Sequence, residues 1–424
     1  MPIATPTPTP TPTPSSSATS EQTLHSLLTL NHTSHHIEYR GYLSNHLVHH
    51  LSALYFLGAT SERLREVYDW HTELEGCTRE EEEVGEGNWR RFLGLRRNYA
   101  GLLAHFTREL DRHPLDHVLA TYLPVLIPGM HGSALHPLIH LGYACELDSQ
   151  LIFAEALAYC TFSYLPVEKR DHNTLNGTSG DLGIEEVLER VRTDERLGEE
   201  KLFGKKGRNG QFQEKVADVV GKAGGVLGEY AGMWRQDPDP SRALNDLQKT
   251  ATALLSTFKE VSTTSSHSAT PKLDFFLLHL LTSTHAVLQI LTHPALKSLH
   301  TSHPNLATSL IHNQYLSILV VYITQGRPVM TPDRVADRYR GVIPPGDAQG
   351  VWKGLRVSAV GTGDEHATKA VWTLWRWYEE TKSEKGDDEE ERRGYLLAAM
   401  AVREMVMGPE REGRDNWEYR GVGW

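Results

Sequence analysis

Apolar residues recur at three- and four-residue steps along most of this 424-residue sequence, and no long alternation of apolar and polar residues predicts a sheet. In the run 42–57, Leu43, Leu47 and Leu51 repeat at helical spacing, and Gly58 is expected to end the helix. Further helices are predicted over 89–110, 115–126, 136–159, 243–261, 273–291, 306–324 and 364–381. The sequence therefore predicts an all-α fold, a single large multi-helix domain.

Two stretches interrupt the helical pattern. Residues 1–20 alternate Thr and Pro and then turn to Ser and Ala, so they are predicted to form a disordered tail. Residues 166–240 are rich in Gly, Lys, Asp and Glu, and they are predicted to form a flexible, loosely packed insertion without metal ligands. This insertion lies within the helical domain 21–424. Its glycine-rich strings match neither a Walker A loop nor a dinucleotide fingerprint.

Charge and cysteine content exclude several classes of protein. The net charge of −11 argues against a surface that binds nucleic acid. None of the three cysteines forms a C-x-x-C pair, which disfavours thiolate zinc and a disulfide framework. The sequence shows no secretory signal, and no stretch of 18 or more residues is expected to be apolar enough to span a bilayer. A cytoplasmic protein that binds neither nucleic acid nor membrane is predicted.

Histidine is the unusual residue, with 23 copies against 43 Lys and Arg together. Four widely separated apolar segments each carry a histidine, and these are His46, His136, His279 and His366. Such residues can meet only through tertiary folding, and iron, copper and zinc all accept imidazole ligands. We therefore predict a transition-metal site inside the helical domain.

Within the histidine clusters the residues alone leave alternatives open. His46 and His50 have the i, i+4 spacing of a two-ligand clamp, with His49 beside them. His131 and His140 flank His136 in the same way. Taken singly, each buried histidine is also consistent with a core residue hydrogen-bonded to a backbone carbonyl. The protease motif H-E-x-x-H is absent.

Lys369 lies on an apolar stripe with His366, Ala370, Thr373 and Trp377 at helical spacing. Burial lowers the pKa of a lysine, and a neutral amine can take up carbon dioxide as a carbamate that ligates metal. The alternative is a lysine whose stem packs in the core while its ammonium reaches solvent.

Four strings of the sequence, in this order, resemble the questin oxidase-like family. They are NHLVHHLSALYFLGA, HGSALHPLIHLGYACEL, FLLHLLTSTHAV and DEHATKAVW. The resemblance runs from about Glu21 to the last helix. The family includes fungal Baeyer–Villiger-type oxidases of polyketide pathways.

The resemblance implies a mononuclear iron(II) site with four histidines and a carboxylated lysine. Matched residue by residue, the metal ligands are His46, His136, His279, His366 and Lys369. His50, His131 and His140, together with His49, are the candidates for a base that deprotonates the substrate. Some family members are associated with NADPH as a reductant, although the sequence shows no site for it. Flavin is disfavoured, because the chain has no G-x-G-x-x-G and no βαβ pattern.

The implied reaction is oxidative opening of an anthraquinone ring by dioxygen, which gives a benzophenone carboxylic acid. Two alternatives are a helical metal-dependent hydrolase and a non-catalytic scaffold with structural histidines. The hydrolase is disfavoured because no His-Asp pair occurs in the four segments.

Overall fold

The computed structural model describes residues 19–71, 73–76, 82–167, 180–262, 269–300, 302–344, 346–383, 389–407 and 416–424. Residues 1–18 of the predicted tail lie outside the described residues. The last two tail positions belong to the first helix, which begins at Ser20 and is capped by Thr19. The chain divides into two compact units, which comprise Met1–Pro166 with His285–Ala307 and Val167–Thr284 with Thr308–Trp424.

The first unit is built from helices that bury their apolar faces against one another. They are α1 (Ser20–Ser34), α2 (Leu47–Phe56), α3 (Ser61–Trp70), α4 (Tyr99–Arg112), α5 (Leu115–Leu126), α6 (His136–Leu147), α7 (Gln150–Phe162) and α13 (Pro294–Lys297). Helix α7 contacts α4, α5 and α6, while α2 contacts α6. The short strands β1 (Glu38–Tyr39) and β2 (Leu43–Ser44) form an antiparallel pair between α1 and α2.

The second unit is also helical. Its helices are α8 (Ile184–Thr193), α9 (Glu199–Phe203), α10 (Phe212–Ala231), α11 (Pro240–Leu255), α15 (Pro332–Arg338), α16 (Ala348–Gly361), α17 (Glu365–Ser383) and α18 (Glu389–Met405). Strands β3 (Phe258–Ser262) and β4 (Ala269–Leu273) pair antiparallel. Helices α12 (Phe275–Thr292) and α14 (Leu306–Thr324) contribute residues to both units. The predicted all-α fold is confirmed.

Several predicted helix boundaries were wrong. The helix predicted over 42–57 begins only at Leu47, because the preceding residues form β2, and it ends before Gly58 as predicted, with φ +95° at that glycine. The helix predicted over 89–110 is a 3₁₀ turn at Trp89–Phe92 followed by α4. Periodicity spans such breaks because both parts bury the same kind of face.

The segment 136–159 is two helices rather than one. Asp148 adopts a left-handed conformation with φ +45°, which ends α6 and turns the chain into α7. A residue that precedes proline usually adopts extended backbone, but His136, which precedes Pro137, is helical, with φ −57° and ψ −35°. The preference of a residue before proline for extended backbone is local, and the tertiary contacts of His136 override it.

The segment predicted as a flexible insertion contains amphipathic helices in its described part. Val187, Leu188 and Val219 are fully buried, and Leu227 is buried on the same face of α10 as Val219. Polar residues dominate the exposed faces, so average composition concealed the apolar stripe that each helix buries. This packing differs from the loose packing expected for the segment.

Two helices, α12 and α14, are long and apolar enough to cross a membrane by length and composition. The expectation that no such stretch exists was therefore wrong. The apolar windows are 67% and 89% buried inside the structure, and core helices pass the same test. The cytoplasmic location remains a prediction.

The close contact between α6 and α12 leaves no space for a side chain at Gly142. A Cβ at this position would lie 2.4 Å from the Cβ of Ala286. Gly142→Ala should lower the free energy of unfolding by about 1–3 kcal/mol, because neither backbone can give way cheaply. Gly225→Ala is the matched control, since that glycine lies within α10 with open space around it. This variant should raise the free energy of unfolding by up to about 1 kcal/mol, because alanine favours the helix. Urea unfolding of both variants measures this, and a tolerated Gly142→Ala would contradict it.

Candidate metal centre

His46 lies at the start of α2 rather than within it. It is the N-cap residue, and the preceding Asn45 accepts a hydrogen bond from the backbone N–H of Leu47 at 3.0 Å. The Asn45 amide also donates to the Asn31 carboxamide oxygen at 2.8 Å. Asn45 thereby fixes the entry into α2 and the position of His46. Among the described residues, the group of potential metal ligands that contains His46 does not include His50.

His136 follows three residues with left-handed backbone, Ser133, Ala134 and Leu135, at φ +48°, +52° and +68°. Such conformations are strained for residues other than glycine and persist where surrounding structure holds them. The Nδ1–H of His136 donates to the carbonyl of Ser133 at 2.5 Å, which leaves the lone pair on Nε2. That Nε2 lies 2.8 Å from Nε2 of His46.

A buried carboxylate holds this strained turn. Glu38 is 4% exposed and accepts hydrogen bonds from the Ser133 hydroxyl at 2.7 Å and from the Tyr159 hydroxyl at 3.2 Å. The guanidinium of Arg96 pairs with the same carboxylate and donates to the Ser133 hydroxyl. Because Ser133 also accepts from His136, this network orients the imidazole.

His279 lies on the second turn of α12. Asp274 caps the helix by accepting from the backbone N–H groups of Phe276 and Leu277 at 2.8 and 3.0 Å. The Nδ1–H of His279 donates to the Phe275 carbonyl at 2.8 Å, so its lone pair is also on Nε2. Burial, and next the positive charge of Lys369, lowers the pKa of His279 to about 3, which keeps the ring neutral.

His366 lies on the first turn of α17, near His279. Asp364 caps this helix by accepting from the backbone N–H groups of His366 and Ala367 at 2.9 and 2.8 Å. The imidazole centroids of His366 and His279 are 5.3 Å apart. Nδ1 of His366 lies 3.6 Å from a carboxylate oxygen of Glu365.

Lys369 is 0% exposed, so the alternative in which its ammonium reaches solvent is excluded. The stripe predicted to face inward does so, because His366, Ala370, Thr373 and Trp377 are all buried as well. No hydrogen-bond partner reaches the Lys369 Nζ from the part of the chain that the structure describes. Burial lowers the pKa of this amine, while the charges of Glu365 and Asp364 oppose the shift.

The four histidines form one candidate ligand set. One ligand nitrogen from each of His46, His136, His279 and His366 lies within 4.8 Å of the other three. At least two of the rings carry Nδ1–H bonds to backbone carbonyls, the arrangement that orients metal-binding histidines. An all-imidazole donor set suits iron, zinc, copper or nickel. These residues therefore fit a transition metal.

The sequence pattern of the questin oxidase-like family matches residues 43–374, and this span includes all four histidines and Lys369. This chain belongs to the questin oxidase-like family. The resemblance drawn from the four strings is confirmed.

Relatives of this questin oxidase-like chain are fungal proteins. Baeyer–Villiger monooxygenase dmxR6 of Cryptosporiopsis sp. is 26% identical over 292 residues, which are 61% of this chain and 60% of the relative. Baeyer–Villiger oxidase GME11358 of Pestalotiopsis microspora is 32% identical over 31% of this chain and 32% of its own length. Oxidoreductase AflY of Aspergillus parasiticus is 26% identical over 78% of this chain and 67% of its own. The chain thus spans less than two thirds of the length of the first two.

The three histidines predicted as bases lie in different surroundings. His50 packs beside His71, with ring centroids 5.9 Å apart. His131 is buried in the turn before the left-handed residues. His140 is fully buried, and both its ring nitrogens have partners in the structure. Their catalytic roles remain predictions.

A chain of hydrogen bonds that sequence reasoning missed connects His140 with its neighbours. Glu155 on α7 accepts from Nε2 of His140 at 2.9 Å and from Nδ1 of His32 at 2.8 Å. Nδ1 of His140 consequently accepts from Nε2 of His49 at 3.1 Å. Burial alone would raise the pKa of Glu155, but the bonds with His140 and His32 outweigh it and lower the pKa. The signal was a lone glutamate in an apolar helix, QLIFAEALAYCTF.

Proposed function

We propose that this chain is a non-heme iron oxygenase that opens a phenolic anthraquinone ring to a benzophenone carboxylic acid. The single observation that carries the proposal is the set of four histidine nitrogens within 4.8 Å of one another. Membership of the questin oxidase-like family and relatives named Baeyer–Villiger oxidases support oxidative chemistry over the hydrolase and the scaffold.

His46, His136, His279 and His366 would hold the ion, and Lys369 would complete the set as a carbamate. A carbamate forms when a neutral amine takes up carbon dioxide, which suits an amine that is fully buried and has no hydrogen-bond partner among the described residues. Its oxygens would add a hard, anionic ligand to the neutral imidazoles, and this favours iron(II).

Iron(II), when bound, supplies redox chemistry with dioxygen. The reaction breaks the carbon–carbon bond between a quinone carbonyl and the adjacent ring-junction carbon. The carbonyl carbon becomes the new carboxyl group and the ring-junction carbon gains a hydroxyl, so the reduced substrate takes up both atoms of dioxygen. The substrate is an anthraquinone of the questin, emodin or chrysophanol type, taken as its reduced hydroquinone. NADPH remains a prediction as the source of the reducing equivalents.

The protein's own role in proton transfer falls to His49. Its ring stacks on His136 with centroids 6.0 Å apart and on Tyr143 at 5.3 Å, so it lies beside the ligand set. Because Nε2 of His49 donates to His140, the lone pair is on Nδ1, where it can accept a phenol proton. His140 and Glu155 then orient His49 without touching the substrate.

Glu155→Gln is expected to lower turnover by about 10- to 100-fold and leave the metal content unchanged, because it disturbs the orientation of His140 and His49. Glu109→Gln is the matched control, since Glu109 accepts a hydrogen bond from the Tyr122 hydroxyl in the same unit. This variant should change neither turnover nor metal content. Steady-state rates and metal analysis of both variants measure this. Equal rates in the two variants would remove the orienting role from Glu155.

The proposal is tested with purified protein reconstituted with iron(II) and supplied with reduced anthraquinones under isotopically labelled dioxygen. We expect oxygen consumption with at least one phenolic anthraquinone and label in the new carboxyl group of a ring-opened product. Activity that is equal without iron, or a product without label, would contradict the proposal.

A further inference from the structure

The segment Asn416–Trp424 lies beyond the residues that match the family, yet it contacts the starts of both helices that carry His279 and His366. The Nε1–H of Trp417 donates to Oδ2 of Asp364 at 2.8 Å. The backbone N–H of Val422 donates to Oδ2 of Asp274 at 3.1 Å. Asp364 and Asp274 are the capping residues of α17 and α12, so the 416–424 segment donates a hydrogen bond to each capping carboxylate.

In each capping aspartate, the two carboxylate oxygens accept hydrogen bonds from different parts of the chain. Oδ1 accepts the backbone N–H groups of its own helix, whereas Oδ2 accepts from the 416–424 segment. Asp274 is 0% exposed and Trp417 is 3% exposed, so these bonds are shielded from water. Shielding makes hydrogen bonds to a carboxylate strong and directional.

Backbone pairing and ring contacts attach the segment further. Glu418 pairs with the chain before α12: its carbonyl accepts from Phe275 at 3.0 Å and its N–H donates to Leu273 at 2.8 Å. The centroid of the Phe275 ring lies 4.5 Å from the ring centroid of Tyr419. The imidazole centroids of His366 and His279 lie 4.4 and 5.0 Å from it. One ring thus contacts the segment and both histidines.

We infer that the 416–424 segment positions His279 and His366 for metal binding, with Trp417 as the principal positioning residue. His366 is two residues from Asp364 and His279 is five from Asp274, so displacement of either cap moves a ligand. The inference rests on the proposed metal site, and it assigns a role to a segment outside the matched family region.

The test compares Trp417→Phe, which keeps a large ring but removes the N–H donor, with Trp352→Phe. Trp352 is a buried tryptophan of α16 that packs on Trp375 and Tyr378, so it controls for loss of an indole from the same unit. The probe is Co²⁺, whose visible spectrum reports ligand geometry. We expect Trp417→Phe to weaken Co²⁺ binding by about 10- to 100-fold and to change the spectrum, and Trp352→Phe to change neither.

A double-mutant cycle with Asp364→Asn separates positioning from general destabilisation. The asparagine oxygen can still cap α17, but its amide cannot accept from Trp417. The double variant should bind Co²⁺ no more weakly than either single variant. Additive losses, or unchanged affinity and spectrum in Trp417→Phe, would overturn the inference.

Nuclear magnetic resonance of the metal-free protein keeps this inference distinct from the proposed function. The ring signals of His366 should shift in Trp417→Phe and stay in place in Trp352→Phe. If wild-type protein binds no metal and the His366 signals nevertheless shift in Trp417→Phe, the metal site is contradicted and the positioning role is supported. Unshifted His366 signals would overturn the positioning role alone.

Discussion

Replacing His279 with leucine is expected to lower metal affinity by at least about 100-fold, because a neutral imidazole ligand is lost from the set of four. The ring is 1% exposed and lies on an apolar helix, so leucine can occupy its space. The free energy of unfolding of metal-free protein should change by less than about 2 kcal/mol. Titration with iron(II) or Co²⁺ under anaerobic conditions, with urea unfolding alongside, measures both quantities.

His105→Leu is the matched control for this loss. His105 is also 1% exposed and lies on α4, where its Nε2 bonds with the Tyr122 hydroxyl at 3.1 Å. This variant should lose some stability and retain full metal affinity. If both variants bind metal as wild type does, His279 is a core histidine and the four-histidine site is wrong.

Lys369→Ala and Lys369→Arg are expected to be equally damaging, with activity abolished and iron binding weakened. Arginine keeps the charge but cannot form a carbamate. Lys369→Glu supplies a shorter carboxylate and should recover some metal without recovering activity. Added bicarbonate should increase iron uptake by the wild type and have no effect on the three variants.

Lys215 is the control for a buried lysine. Like Lys369 it is buried, at 1% exposed, but its Nζ donates to the Thr324 carbonyl at 2.8 Å and so already has a partner. Lys215→Met should lose stability and keep its bicarbonate-dependent iron uptake. An active Lys369→Arg enzyme would remove the carbamate from the mechanism and leave the histidines untouched.

The all-α fold was predictable because helical periodicity is a local property of the sequence. Positions where tertiary contacts override local preference were not. His136 is helical although it precedes proline. It follows three residues with left-handed backbone, and none of them is a glycine that would have predicted this conformation. Likewise β2 replaces the first turn expected for α2, because its pairing with β1 is set outside the helix.

The candidate ligands could be named from sequence because histidine is rare inside apolar helices and the four family strings occur in order. The residues that orient them could not. Glu38, Asp274 and Asp364 are ordinary polar residues until the fold shows which backbone groups and side chains they bind. The 166–240 segment was misjudged for the opposite reason, since its many polar residues hide helices with one buried face.

Anomalous diffraction at the iron edge tests whether His46, His136, His279 and His366 bind one metal ion. Crystals of iron-loaded protein should show one strong peak about 2.0–2.2 Å from a nitrogen of each of the four rings, with density extending from Lys369 Nζ toward it. Loss of the peak in His279→Leu crystals would confirm the assignment. A peak elsewhere in the chain, or none in iron-loaded wild-type crystals, would rule out the four-histidine metal site.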